Sequence, residues 1–321
     1  MTRSLTVRLA NWIGDVVLSL PALHLLESHG HALHLYGKGW APTLLSGYRW
    51  PVTVRAPQLG DRIDQLKALA REQRAEDAAF SHRINALAMP NSFSSAAELA
   101  LAGFRVSGYG RDGRSLLLKQ RQRPGPEVHE LQSFWQLACG LLGVVECVPP
   151  VRIDMQLAPA AVARAQGLVH ERCWRDGYVC IAPFAVGTLN KLSKKWPAFP
   201  DFVRELAREG APMAICPGPG ELDEARRLYP AAQIVDDLPL DAYAALLKGA
   251  RLVVANDTGP AHLAAGVGAP LVSVLGPTRV EQWAPWGPNV TVLSRRPDFP
   301  PLDEVLAVAL ARLASTQQAT P

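Results

Sequence analysis

Residues 251–278, RLVVANDTGPAHLAAGVGAPLVSVLGPT, constrain the fold more than any other stretch of the chain. Two short apolar runs rich in β-branched residues, RLVVA and LVSVL, flank a helix-like segment, and each ends in residues that turn a chain. A strand of a parallel sheet reads as a continuous apolar run because both faces of the sheet are covered. The order strand, turn, helix, strand therefore identifies one unit of a doubly wound α/β sheet.

The same alternation recurs along all 321 residues. LTVRLA (5–10) reads as a first strand, with Pro21 to Glu27 in the helix after it, and ALHLYG (32–37) as a second strand. AAFSH (78–82) and FRVSGYG (104–110) read as further strand ends with polar or glycine-rich turns, and the apolar spacing predicts a helix from about Val128 to Leu142. Residues 143–159 are proline-rich and irregular, the start of a connection between domains. A second series follows: strands within 177–185 and 211–220, a helix over 198–209, helices at 221–229 and 241–250, and a last amphipathic helix at 302–314. A chain this long is expected to form two cores, here 1–165 and 166–321, which face each other across a cleft. In such sheets ligands lie beyond the carboxyl ends of the strands, so chemistry is sought just after each strand.

Composition narrows the setting. No apolar run approaches the roughly 18–20 residues that span a bilayer. Arg8, Asn11 and Asp15 interrupt what would be the apolar core of a signal peptide, so a cytoplasmic location is expected. Five cysteines without a CxxC pair read as buried free thiols, not as disulfides or a zinc site. The net charge of +4 arises in the first 150 residues, where 16 Lys and Arg oppose 12 Asp and Glu. Much of it falls between Arg105 and Arg123, where Arg105, Arg111, Arg114, Lys119, Arg121 and Arg123 face only Asp112. That segment is either a solvated loop or a surface for an anionic partner, such as a phosphorylated glycolipid or an acidic membrane face. Nucleic acid fits less well, because the segment is short and poor in aromatics.

Four loops carry candidate chemistry. In NDTGPAHLAAG (256–266), Asp257 or Thr258 suits a helix N-cap and Pro260 the first turn. The unpaired N–H groups there make an anion site, to which the Thr258 hydroxyl adds a donor, with His262 one turn in. The plainer alternative is a capping Asp257 and a core His262. In NKLSKKWP (190–197), three lysines follow a strand and are placed for a pyrophosphate, or form a solvated basic loop. In CPGPGELDEARRL (216–228), the glycine turn admits a ligand and Glu221 either accepts from ribose hydroxyls or serves as a first-turn helix acid. In NWIGDVVLSLPAL (11–23), Asp15 follows a glycine after the first strand, as a general base or as a helix cap. DxD, GxSxG, GxxxxGK[ST] and HExxH are all absent from the sequence, which removes support for metal-bridged diphosphate, serine-hydrolase and P-loop chemistry.

These four segments in this order resemble the heptosyltransferase family of bacterial lipopolysaccharide synthesis, glycosyltransferase family 9; the carriers are NWIGDVVLSLPAL, KKWP, PGPGE and NDTGPAHLAAGVGAPLVSVLGPT. The resemblance implies a GT-B fold of two Rossmann-like domains, with the donor held mainly by the second. It implies inverting transfer of L-glycero-D-manno-heptose from ADP-heptose to a hydroxyl of the inner core, with no metal and no cofactor besides the ADP-sugar substrate. By motif match Asp15 would be the base, Lys194 would contact the diphosphate, and Glu221 would hold the ribose. Asp257, Thr258, Gly259 and His262 would surround the diphosphate and sugar. Lys195 replaces Lys194 if the loop register differs, and Thr188 and Ser193 are hydroxyl candidates beside them. The acceptor would be an anionic lipopolysaccharide core, met by Arg105, Arg111, Arg114 and Arg121, with peripheral contact at the cytoplasmic face of the inner membrane. Two alternatives keep the fold: transfer of another nucleotide sugar to a capsule or other glycan, or a non-catalytic nucleotide-binding relative.

Overall fold

The computed structural model of the protein describes residues 3–317, except 112, 124, 126, 146, 186 and 190. Asp112, counted above against the neighbouring arginines, lies outside the described residues. The chain divides between Pro150 and Val151 into two compact units.

The first unit runs β1 (Arg3–Arg8), α1 (Ile13–Ser28), β2 (His31–Gly37), α2 (Ala41–Leu44), β3 (Val52–Val54), α3 (Leu59–Glu76), β4 (Ala86–Ala88), α4 (Phe93–Leu101), β5 (Val106–Tyr109), β6 (Gln120–Gln122) and α5 (Glu130–Leu142). Its six strands are all parallel, in the order β3-β2-β1-β4-β5-β6. The order reverses between β1 and β4, so the loops after these two strands diverge to opposite faces of the sheet and leave a crevice there. Helix α1 packs on β2 and α5, and its apolar residues are buried around most of its circumference.

The second unit runs α6 (Pro159–Glu171), β7 (Val179–Ala182), β8 (Thr188–Leu189), β9 (Leu192–Ser193), α7 (Phe199–Arg208), β10 (Met213–Ile215), α8 (Leu222–Leu228), β11 (Gln233–Ile234), α9 (Leu240–Gly249), β12 (Leu252–Asn256), α10 (Gly259–Gly266), β13 (Leu271–Leu275), α11 (Val280–Trp283), β14 (Val290–Ser294) and α12 (Leu302–Gln317). Its large sheet repeats the first topology, all parallel, as β11-β10-β7-β12-β13-β14. Here the crevice lies after β7 and β12. A short antiparallel hairpin, β8 with β9, is inserted after β7. Trp196, Phe199 and Phe202 pack with Val254, Val274 and the α12 residues Val305 and Ala309 into one core. The aromatic ring of Trp196 thus ties the lysine loop to the centre of the unit.

Three expectations are corrected. The boundary after residue 165 falls inside α6, which packs on α9 and belongs wholly to the second unit. AAFSH is not a strand: Phe80–His82 form one tight helical turn that buries Phe80 against Phe104, and the strand is β4. Finally, Cys139 and Cys147 form a disulfide, while Cys173, Cys180 and Cys216 are free and Cys173 is exposed. The physical reason is the end of α5, where Gly143 takes the left-handed conformation (φ 72°) and turns the chain back toward Cys139.

Candidate active site

Each crevice holds a group of the residues that the sequence singled out. In the first unit, the turn after β1 leads into α1, and Asp15 sits in the first helical turn. Asp15 lines a pocket of about 200 Å³ formed by the loops after β1 and β4 and the start of α5, with Trp12, Asn91, Ser92, Glu130 and Phe134 among its walls. Asn11, also in the wall, is held by Arg8, whose guanidinium donates to its Oδ1 at 2.8 Å. The opposite wall is held by Arg114. Its buried guanidinium donates to the carbonyls of Pro90, Ser92 and Ala88, and so fixes the loop that follows β4.

Glu130 was not anticipated. It stands in the first turn of α5, half-buried, and its carboxyl is pushed up to about 7 by burial and then by the charge of Asp15, with Arg111 opposing. Burial disfavours the charged form, and a second carboxylate nearby disfavours it further. No local sequence pattern joins Glu130 to Asp15; only the packing of α1 on α5 does.

A second unanticipated group lies at the same sheet edge. The buried carboxylate of Glu98 meets Arg55 at 3.0 Å, Arg62 at 3.1 Å and Arg8 at 4.0 Å. Arg8 is lowered to about 10, by burial first and then by Arg55. Three guanidiniums around one carboxylate leave surplus positive charge there, and Arg55 and Arg62 are partly open to solvent.

The arginines between 105 and 123 do not form one surface. Arg114 is wholly buried, and its two terminal nitrogens donate to backbone carbonyls. Arg105 precedes β5 and so lies at the edge opposite Asp15, its own N–H held by Asn85 Oδ1 at 2.7 Å. Arg121 is exposed in the edge strand β6. Arg111 alone of the four is exposed at the carboxyl end of β5, within electrostatic reach of Glu130.

In the second unit, Asp257 follows β12 and is buried. Its Oδ2 meets the Lys194 ammonium at 2.5 Å and accepts from the Thr278 hydroxyl at 2.6 Å, and its Oδ1 is 4.0 Å from His262 Nε2. Thr258 is the N-cap of α10 in extended conformation, its side chain making no capping bond, and Gly259 opens the helix. Lys194 is therefore delivered to the amino end of a helix, where backbone N–H groups and the dipole favour an anion. Lys195 points elsewhere: its ammonium pairs with Glu224 at 3.3 Å and lies over the Phe184 ring. Ser193 Oγ accepts from the Lys195 amide at 3.1 Å, while Thr188 is exposed in β8.

Asn256, 0% exposed, organises this loop. Its Oδ1 accepts from the Trp196 amide at 2.9 Å, and its Nδ2 donates to the Pro183 carbonyl at 2.6 Å. One side chain thereby links the exit of β7, the lysine loop and the exit of β12. Glu221, the N-cap residue of α8, follows β10 at the same sheet edge, and its Oε2 accepts from the Gly218 amide at 2.8 Å. Burial pushes the thiol of Cys216, at the same edge, up to about 12, which disfavours the thiolate. Among the described residues no three His, Cys, Asp or Glu side chains are grouped to hold a metal ion, and no helix is long and apolar enough to cross a membrane.

Comparison with known proteins gives consistent matches. A family model described as "Glycosyltransferase family 9 (heptosyltransferase)" matches residues 83–305. Lipopolysaccharide heptosyltransferase 3 of Escherichia coli is 26% identical over 202 residues, covering 54% of this chain and 58% of its own, less than two thirds of its length. Among solved structures, E. coli ADP-heptose lps heptosyltransferase II superposes with a TM-score of 0.79 at 18% identity, over 98% of this chain and 99% of that one. E. coli heptosyltransferase WaaC with ADP superposes with a TM-score of 0.70 at 22% identity, over 98% and 99%.

Proposed function

Because the chain belongs to glycosyltransferase family 9 (heptosyltransferase), we propose that it moves a heptose from ADP-heptose onto a hydroxyl of the lipopolysaccharide inner core, with inversion. Its two units, each a parallel sheet in Rossmann order, are those of the GT-B fold. The observation that carries the proposal is the group on the second unit: Lys194 paired with Asp257 at the amino end of α10, with Thr278 and His262 against the same carboxylate. That is a charge arrangement for a diphosphate, and a relative of the same fold has been solved with ADP.

The steps follow from the groups present. Asp15 takes the proton of the acceptor hydroxyl as its oxygen attacks the anomeric carbon. The bond from that carbon to the ADP oxygen breaks on the opposite face, and the electron pair leaves with the diphosphate. Lys194 and the N–H groups at Thr258 and Gly259 meet the growing charge, stabilisation that needs no reorganisation because Asn256 and Asp257 already hold the loop. Glu221 Oε1 accepts from the ribose hydroxyls. Arg55, Arg62 and Arg111 attract the anionic groups of the core, and peripheral contact with the cytoplasmic face of the inner membrane brings the lipid-linked acceptor within reach. The anionic acceptor is thus met by Arg55, Arg62 and Arg111 in place of Arg105, Arg114 and Arg121.

The test is transfer by the purified protein. With ADP-heptose and lipopolysaccharides truncated at successive positions of the core, mass spectrometry should detect a heptose added to one of them. Protection from thermal unfolding should be greater with ADP-heptose than with GDP- or UDP-sugars, since a binder of the folded state raises its stability. Protection by a GDP- or UDP-sugar alone would reassign the donor, and ADP binding without any transfer would make the protein a non-catalytic relative.

A further inference from the structure

The pocket beside Asp15 has an acidic character that the transfer reaction does not by itself require. It holds two carboxyls, Asp15 and Glu130, and three neutral polar side chains, Asn11, Asn91 and Ser92. Trp12 and Phe134 supply aromatic surface. None of its described lining residues is a lysine, arginine or histidine. At about 200 Å³ it is smaller than the roughly 300–1,000 Å³ of a drug-sized site, and suits a single ring.

We propose that this pocket takes an uncharged sugar ring and that Glu130 reads it, hydrogen-bonding a hydroxyl beside the one Asp15 deprotonates and refusing a ring that carries its own carboxylate or phosphate. Sugars are held by aromatic faces against their C–H groups and by carboxyl and amide groups against their hydroxyls, which is the composition of these walls. An anionic ring would bring a third acidic group next to two others in a half-buried site, with no guanidinium lining it. These cations of the edge are not among the lining residues: Arg55 and Arg62 are engaged with Glu98, Lys38 lies over the Trp12 ring, and Arg111 is exposed. They suit charged groups on the acceptor beyond the reacting ring. The inference deepens the acceptor side of the proposed transfer and rests on that reading for the role of Asp15.

The refusal depends on pH in a definite direction. Glu130 faces Asp15 from α1 and Tyr109 and Arg111 from β5 and the loop after it, while β6 meets α5 through Gln120 and Gln122, bonded to the carbonyls of Gly140 and Leu137. Below about 7 the Glu130 carboxyl is neutral, and above it the carboxyl is charged. Discrimination against an anionic ring therefore strengthens as pH rises through neutrality.

The experiment reads binding to the full-length protein without donor, so it does not depend on which sugar nucleotide is used. Saturation-transfer NMR at about pH 6 and about pH 8 compares methyl α-mannoside with the methyl glycoside of a 3-deoxy-ulosonic acid, for wild type and Glu130→Gln. The neutral glycoside should bind at both pH values, and its preference over the ulosonate should grow several-fold, up to the roughly tenfold that one carboxyl titrating at about 7 allows, from the lower to the higher pH. Glu130→Gln, close in shape, should flatten that change and leave ADP affinity unaltered. Preference for the ulosonate at the higher pH, failure of the neutral glycoside to bind, or an unchanged pH dependence in Glu130→Gln would overturn the proposal. Wild type alone gives the first two readouts, so the test survives a variant that does not fold. Binding as described with no transfer from ADP-heptose would instead sink the proposed function and leave this pocket assignment standing.

Discussion

Replacing Asn256 by alanine removes one fully buried side chain and two hydrogen bonds, to the Trp196 amide at 2.9 Å and the Pro183 carbonyl at 2.6 Å. Water does not reach the site, so both backbone groups are left unpaired, at about 1–3 kcal/mol each. A loss of about 2–6 kcal/mol follows, which for a domain of this size lowers the midpoint of its thermal transition by about 4–24 °C. The functional loss has a separate origin. Trp196 and Lys194 share the loop that Asn256 holds, so loosening it removes the fixed position of the ammonium. A charge-assisted bond to a diphosphate is worth about 1.5–3 kcal/mol, so ADP affinity should fall about 10- to 100-fold. Calorimetric scanning measures the first effect, and ADP titration at a temperature where the variant is folded measures the second. A midpoint within about 1 °C of wild type together with unaltered ADP affinity would refute the reasoning, because two orphaned buried groups cannot be neutral.

Lys194→Ala should weaken ADP binding about tenfold or more, and Lys195→Ala about twofold or less, because Lys194 reaches Asp257 and α10 whereas Lys195 is tied to Glu224; titration calorimetry giving the reverse order would reassign the phosphate lysine. Gly108→Ala places a methyl 2.6 Å from an Arg114 nitrogen and 3.4 Å from the Ala88 carbonyl. With the guanidinium buried on three carbonyls, the variant should lose about 1–3 kcal/mol in urea denaturation, and an unchanged midpoint would show that Arg114 is free to move. Glu130 makes the first unit less stable as pH rises. Its folded carboxyl titrates about 7 and its unfolded one near 4.5, so the native state holds the extra proton between these values and stability is lost across that window. Allowing for partial exposure, about 1–2 kcal/mol should disappear from about pH 5 to 7.5, and Glu130→Gln should abolish that slope in pH-dependent denaturation.

Much of the architecture was legible because parallel strands are continuous apolar runs: RLVVA and LVSVL became β12 and β13, and the turn after β12 set Thr258 and Gly259 at the amino end of α10. Where the periodic signal is weak, the reading failed. Helix α6 buries only Ala161 and Ala165, an alanine stripe with little contrast to its polar face, so a boundary was placed inside it. Strand β4 is three residues long and has no measurable period, whereas the neighbouring AAFSH is apolar enough to imitate one. On the second unit the grouping of Lys194 with Asp257 could be read because both residues follow strand ends closely. The pairing of Asp15 with Glu130, and the ring of arginines on Glu98, arise from helices and strands distant in sequence. Arg114 shows the same limit from the other side. A charge run suggests a solvated face, and only the tertiary structure reveals that one of its arginines is a buried brace for the loop after β4.

The central claim divides the reaction between a base on the first unit and a diphosphate site on the second. Transfer rate and ADP affinity, measured side by side for Asp15→Asn and Lys194→Met, test it most directly. Asp15→Asn should keep ADP affinity within about twofold while turnover falls by about 10²–10⁴-fold, as loss of a general base requires. Lys194→Met should lose both ADP affinity and turnover. Near-normal turnover in Asp15→Asn, or full ADP affinity in Lys194→Met, would contradict that division.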